Sequence, residues 1–311
     1  MRKFYNKVVI IGCGAVGASI AYALSIQGTV SKLVLIDVNR DKAEGEVLDI
    51  GQGMLNFTPM EIYCGDYNDV ADCDLIIVAS GVGRRPGDTR LDLAKNNINI
   101  IKSVAENIKP HYNGAVILMV ANPVDILTYV MYKELGIPSS KIFGTGTSLD
   151  TARFKYFLSQ DLDVCVNNVH GYIIGEHGDS QFPVLSSINI AGTPFDEYCE
   201  SENISINMDE LVDRVKHAGA EVIKKKHATY YAIASTVCRI VNAVVKDEHA
   251  VLPVSTVECG SYGLDGVSIG LPCIVNAEGI NKVLSLRLSD DENEKLKKSA
   301  ATLKSIIDEA M

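Results

Sequence analysis

No apolar run in these 311 residues approaches the roughly 18 that a membrane-spanning helix needs. Met1-Arg2-Lys3 leads straight into an apolar strand pattern with no small-residue cleavage site, so neither export nor membrane insertion is expected and the cytoplasm is the expected compartment. The eight cysteines are scattered, without a C-x-x-C pair or a histidine spacing suited to zinc. That excludes a metal ribbon or a disulfide scaffold and leaves the cysteines as small core residues in reducing surroundings. Positive charge is also short: 29 Lys and Arg face 39 Asp and Glu, for a net charge of −10. This is the wrong sign for binding a phosphate backbone, so nucleic acid is not an expected partner. Internal repeats, low-complexity tracts and long linkers are absent as well.

What the chain does contain is an ordered series of βα units. The first sets the frame: Lys7 to Ile11 is apolar, Gly12-Cys13-Gly14-Ala15-Val16-Gly17 follows, a helical pattern runs to Gly28, and a second apolar run ends on Asp37. Gly12 permits a sharp turn out of the strand, Gly14 a close approach of backbone to pyrophosphate, and Gly17 close packing of helix on sheet. The free N–H groups around Ala15 and Val16 at the helix start suit a phosphate. An acid twenty residues after Gly17 accepts both hydroxyls of an adenosine ribose and repels a 2′-phosphate. Asp37 therefore points to NAD over NADP.

Further strands are expected at Ile62 to Cys64, Leu75 to Ala79, Val116 to Val120 and Ile142-Phe143, each separated by helical character. Alternation of this kind predicts an α/β fold, a doubly wound parallel Rossmann sheet, with the dinucleotide across the carboxyl ends of six strands. The alternation stops near Gly144. Residues 1–144 then form an NAD-binding Rossmann domain and 145–311 an α+β substrate domain. Within the second half, helix is expected from Met208 to Val245 with a break near His227-Ala228-Thr229, and β-like segments at Val251 to Val257, Val267 to Val275 and Val283 to Leu286. A last helix opens on the capping box Ser289-Asp290-Asp291-Glu292.

Candidate chemistry gathers at the strand ends. Gly81 to Arg90 holds three glycines, a proline and three arginines and reads as neither helix nor strand: it is either a mobile lid over an anionic ligand or a solvated basic loop. Asn122, before Pro123, is either a ligand to the nicotinamide side or a turn former. Asp150 and Arg153 share a helix face, as a surface ion pair or as two groups aimed at one pocket. Of six histidines, His177 stands apart, between Gly175 and Gly178 at a strand end, where an imidazole can reach a cleft and exchange a proton near neutrality.

Taken together, Gly12 to Gly17, Asp37, Arg90, Asn122-Pro123, Leu149-Asp150-Thr151-Ala152-Arg153-Phe154 and Gly175-Glu176-His177-Gly178-Asp179-Ser180 resemble the L-lactate and malate dehydrogenase family, over essentially the whole chain. The resemblance implies NAD-dependent, metal-free, reversible reduction of a 2-keto acid to an L-2-hydroxy acid. It implies that His177 carries the proton, Asp150 orients the imidazole, Arg153 grips the C1 carboxylate, Arg90 polarises the carbonyl, and Asn122 orients that carbonyl and the nicotinamide. A homotetramer is the implied assembly, with a dimer as the alternative. Lys155 and His170 stand where bacterial lactate enzymes carry an arginine and a histidine for fructose 1,6-bisphosphate. A non-catalytic NAD sensor is the remote alternative, disfavoured by the intact proton-relay set.

Substrate choice in this family is read largely at the lid position here held by Arg84. Arginine there is malate-type, whereas Glu176 beside His177 and Thr229 in the pocket are lactate-type. An unpaired buried charge opposite the methyl of pyruvate costs on the order of 3 to 5 kcal/mol, and the steric difference at Thr229 about 1 to 3. On that comparison malate/oxaloacetate is the expectation, with lactate/pyruvate as the alternative if Arg84 swings into solvent.

Overall fold

The computed structural model describes residues 6–83 and 89–311. Its first half alternates strand and helix: β1 (Lys7–Ile11), α1 (Ala15–Gln27), β2 (Lys32–Ile36), α2 (Arg40–Gln52), β3 (Glu61–Cys64), β4 (Leu75–Val78), α3 (Arg90–Ile108), β5 (Val116–Met119), α4 (Val124–Leu135) and β6 (Ile142–Gly144). The central strands β1, β4 and β5 are buried along their whole length, as expected for parallel strands covered on both faces. That is why their sequences are continuous apolar runs and show no alternation. The β1–β6 pairings are parallel, in the order β6-β5-β4-β1-β2-β3, so all six strands point their carboxyl ends toward one edge.

The second half begins with α5 (Ser148–Asp161) and continues through short strands β7 (Val169–His170), β8 (Ile173–Ile174), β9 (Phe182–Pro183), β10 (Asn189–Ile190) and β11 (Thr193–Pro194). Helices α6 (Phe195–Glu202), α7 (Met208–Lys226) and α8 (Tyr231–Val245) follow, with the expected break at 227–230. His227 closes α7 in the left-handed region, at φ 70°, which ends the helix after three lysines in its last turn. Then come β12 (Ala250–Thr256), β13 (Ile269–Asn276), β14 (Gly279–Val283) and α9 (Asp290–Ala310). The Ser289–Glu292 capping box starts α9 as the sequence pattern predicts.

β12, β13 and β14 do not build a sheet of their own. They extend the parallel sheet antiparallel to it, giving nine strands in the order β14-β13-β12-β6-β5-β4-β1-β2-β3. The seam is the pairing of Ser255 with Gly144, where a side chain on Gly144 would lie 2.5 Å from the Thr128 hydroxyl. One hydrophobic core therefore runs from β1 through β13 to α9, while a smaller one gathers Phe154, Leu158, Ile173, Ile188 and Leu211 under α5 and α7. This continuity carries the β8 end, and the loop after it, against the sheet through the bridge between Gly175 and Gly270.

Candidate active site

At the carboxyl edge of β1 and β2 the chain forms a cradle. Gly12 turns at φ +101°, and a Cβ there would lie 2.6 Å from the Ser80 backbone, so only glycine fits. Across it, a Cβ on Gly17 would sit 1.9 Å from the Gly12 carbonyl oxygen, whereas Gly14 faces open space. Gly14 caps α1 without any side-chain hydrogen bond, and no acid occupies the first turn, so the N–H groups of Ala15 and Val16 remain available to an anion. Asp37 receives the Cys13 N–H at 2.6 Å on one carboxylate oxygen and the Asn39 N–H at 2.9 Å on the other. The acid thus holds the glycine loop in place and keeps lone pairs for ribose hydroxyls. These residues fit a dinucleotide without a 2′-phosphate.

Some way along the same edge, α5 and the loop after β8 meet. His177 donates from Nδ1 to Asp150 Oδ2 at 2.5 Å, and Arg153 Nη1 donates to Asp150 Oδ1 at 3.1 Å. One carboxylate therefore orients both an imidazole and a guanidinium. Asp150 is 1% exposed, while Arg153 and His177 keep 16% and 22%, so the acid is sealed behind the two groups a ligand can reach. With Nδ1 committed to the carboxylate, Nε2 is the nitrogen that exchanges a proton outward. Burial works against both charges, and the mutual attraction outweighs it: the His177 pKa lies above its usual 6.5, while Asp150, facing His177 and Arg153, lies below the carboxylate range. The pairing favours an imidazolium held against a carboxylate. Such a pair gives up a proton from Nε2 to a developing oxyanion and takes it back in the reverse direction.

Two supporting residues escape a reading of the sequence. Asp125, in the first turn of α4 and 2% exposed, accepts the His177 backbone N–H at 2.7 Å and the Ser255 hydroxyl at 2.5 Å. Burial pushes its pKa up to about 6 against the pull of those donors. The Asn97 side chain, 1% exposed in α3, donates to the carbonyls of Asn122 at 2.6 Å and Val82 at 3.1 Å and accepts the Val82 N–H at 2.8 Å. It staples the start of the arginine-rich loop to the end of β5. A buried acid or amide within a helical pattern was the available signal in both cases, since such groups stay buried only when partnered.

The remaining expected residues are distributed around this edge. Asn122 is exposed at the β5 terminus; its side chain accepts the Val124 N–H at 3.3 Å, which makes it a turn former and leaves its amide N–H groups available. Thr229 is half-buried in the connection between α7 and α8, and α7 packs on α5. Arg90 is the first residue of α3 and not a loop residue, because the Thr89–Asp92 capping box starts the helix there. The expectation for Arg84 lies outside the described residues. Lys155, half-buried on α5, has its pKa lowered by burial, and His170 is exposed on β7, which packs against α5. Among the described residues no cluster of His, Cys, Asp and Glu is arranged to hold a metal ion, and no helix is long and apolar enough to cross a membrane.

Comparison with known proteins bears on the same two regions. Residues 6–144 match the family model described as lactate/malate dehydrogenase, NAD binding domain, and residues 147–311 match the alpha/beta C-terminal domain of the same family. A protein of Acetivibrio thermocellus named L-lactate dehydrogenase is 46% identical, over 98% of each chain. One of Clostridium acetobutylicum named L-lactate dehydrogenase 1 is 43% identical, covering 98% of this chain and 99% of that one. Among solved structures, a minor L-lactate dehydrogenase from Enterococcus mundtii, in a ligand-bound form, superimposes with a TM-score of 0.95 at 40% identity, with 99% of both chains covered.

Proposed function

This chain belongs to the lactate/malate dehydrogenase family, and we propose that within it the protein interconverts pyruvate and L-lactate. NAD-dependent oxidation and reduction of 2-hydroxy and 2-keto acids is the activity of the family, and NAD is its cofactor. The observation that carries the choice of pyruvate is the run of relatives at 43 to 46% identity, covering nearly the whole chain and named L-lactate dehydrogenase. They favour the lactate alternative over the malate preference expected from Arg84.

Bound NADH supplies the hydride. The chain's own residues do the rest: Arg153 holds the substrate C1 carboxylate in its planar fork, and Asn122 orients the carbonyl. His177 gives its Nε2 proton to the oxygen as negative charge develops, Asp150 stabilises the imidazolium beforehand, and Arg90 adds a second donor to the same oxygen. Stabilising that charge away from water contributes most to the rate, through donors of the kind where losing one costs about 3 to 4 kcal/mol. In this division of labour residues 1–144 hold the cofactor and lend Arg90 and Asn122 to the substrate, while 145–311 supply Arg153, Asp150 and His177 for the keto acid. Thr229 shapes the pocket around the substrate's C3 group.

The test is kcat/KM for pyruvate and for oxaloacetate in the native chain and in Arg84→Gln. A native preference for pyruvate, little altered by the substitution, is the expected result and means that Arg84 does not set the choice of keto acid. A native preference for oxaloacetate that Arg84→Gln reverses overturns it in favour of malate, the reading that the charge at position 84 supports. A cytoplasmic homotetramer is part of the same proposal, as is fructose 1,6-bisphosphate binding at Lys155 and His170. Millimolar sugar bisphosphate that leaves KM and subunit association unchanged removes the last of these.

A further inference from the structure

The residue before His177 is held by a closed ring of hydrogen bonds. The Glu176 backbone N–H donates to Ser299 Oγ at 2.8 Å, Ser299 and Ser180 hydroxyls are 2.9 Å apart, and Ser180 donates to the Glu176 carboxylate at 2.5 Å. Each hydroxyl has one proton, and one assignment satisfies all three contacts: Glu176 N–H to Ser299, Ser299 to Ser180, Ser180 to the Glu176 carboxylate. The ring leaves the main chain of Glu176, passes through the C-terminal helix α9, and returns to the side chain of the same residue.

Ser299 has no packing reason to be a serine. It is fully buried in the middle of α9, on the face that also carries Leu296, Ala300 and Leu303. In that setting alanine is the better helix former and a hydroxyl is costly unless bonded. The glycines around the histidine fit the same account. Gly175 has φ +98°, and a Cβ there would press on Ser299 Oγ at 3.0 Å; a Cβ on Gly178 would meet the Glu176 carboxylate at 2.8 Å. Glu176 itself is 8% exposed, a buried carboxylate whose partner in the described structure is Ser180. Next along the chain, the His177 N–H goes to Asp125 at 2.7 Å. Two consecutive peptide N–H groups at the histidine are thus each anchored to a different helix, α9 and α4.

We infer that Ser299, with Ser180 and the Glu176 carboxylate, is a positioning clasp that docks the histidine loop on α9 and fixes where the His177 imidazole stands for proton transfer. The inference rests on the reading of His177 as the proton carrier. Among the described residues the charged groups around that imidazole are Asp150 and Arg153 from α5 and Asp125 from α4, together with the clasp's Glu176 in its own loop. A loop that loosens moves the imidazole relative to all of them. Asp150 is the contact with the most to lose, because its hydrogen bond is short and directional.

The test compares Ser299→Ala, Ser180→Ala and Glu176→Gln in the full-length enzyme, using whichever keto acid the native chain prefers, with His177→Asn as a control. Ser299→Ala is expected to lower kcat about tenfold, as a small misplacement of a reacting group does, with KM for NADH within about twofold. The pH midpoint of keto-acid reduction should fall by roughly half a unit, because a weaker Asp150 contact lowers the His177 pKa. Ser180→Ala should move both readouts the same way by less, and Glu176→Gln, whose amide oxygen still accepts from Ser180, should stay within about threefold of native. Native kcat and pH midpoint in both serine variants, even with a lowered Tm, overturn the clasp. If Ser299→Ala does not fold, Ser180→Ala decides alone by the same criterion. Activity surviving in His177→Asn instead defeats the proton-carrier reading, a separate result.

Discussion

The cofactor edge and the histidine cluster are built in opposite ways. Between Lys7 and Asp37 most residues that shape the cradle lie in one βαβ unit, tied by the Cys13 N–H to Asp37, 24 residues away, with the Ser80 backbone behind Gly12 coming from farther along the chain. The histidine cluster draws Asp125 from α4, Asp150 and Arg153 from α5, His177 from the loop after β8, and Ser299 from α9, with separations reaching 123 residues. A local site needs only a turn and a helix start to form. A dispersed one exists only when the two halves are packed on one sheet, and its precision depends on residues that never touch the ligand. Substitutions in the first should weaken the binding of one molecule, whereas substitutions in the second should reduce turnover without loosening the cofactor.

The largest expected effect tests the dispersed side. Asp150→Asn keeps the shape but can no longer stabilise an imidazolium, and steady-state kcat should drop on the order of 10³- to 10⁴-fold, with NADH affinity by fluorescence titration near native. A loss of NADH binding of the same size would erase the contrast between the two sites. Next, Arg153→Lys retains charge and loses the fork. The keto-acid kcat/KM should fall about 100-fold, mostly in KM, because two parallel hydrogen bonds become one point contact. If kcat alone falls, Arg153 acts through Asp150 and not on the substrate.

On the local side, Asp37→Ser should lower kcat/KM with NADH about tenfold and narrow the gap to NADPH, leaving keto-acid KM at saturating cofactor unchanged. An NADPH activity already equal to that with NADH in the native enzyme would show that the Asp37 charge does not face the ribose. The pH profile gives the smallest and most graded test. His177 holds its proton above its ordinary 6.5, so keto-acid reduction should decline only as pH rises through the raised value, while hydroxy-acid oxidation rises over the same range. Asp125, at about 6 against an ordinary 3.8, binds a proton more tightly folded than unfolded. Its contribution therefore favours the fold at low pH and is lost as pH climbs from about 4 to about 6, a change on the order of 3 kcal/mol. Asp125→Asn should flatten that decline in urea melts, and an unchanged slope would mean that the acid is hydrated.

Much was legible along the chain because the governing forces are short-ranged. Steric permission at Gly12, the cap at Ser289, and continuous apolar runs for strands buried on both faces all act within one turn or strand, so βα alternation, the break before α8 and the cradle around Asp37 can be read in order. The pairing of Asp150, Arg153 and His177 came through as well, because an (i, i+3) pair on one helix face and an isolated glycine-flanked histidine are local signals that the family resemblance joins. The first two strands after α8 were legible as strands, whereas the third lies at Gly279–Val283, ahead of the apolar run Val283 to Leu286 where it was expected. Their membership of the first sheet was not, because strand pattern states which faces are buried and is silent about which edge is paired. For the same reason Asp125 and Ser299 read as ordinary polar residues in helices: their meaning is a hydrogen bond to a partner far along the chain, and only packing of the two halves brings that partner within 3 Å. The chemistry of each group is written in its residue type, whereas the distance at which it acts is set by the folded core.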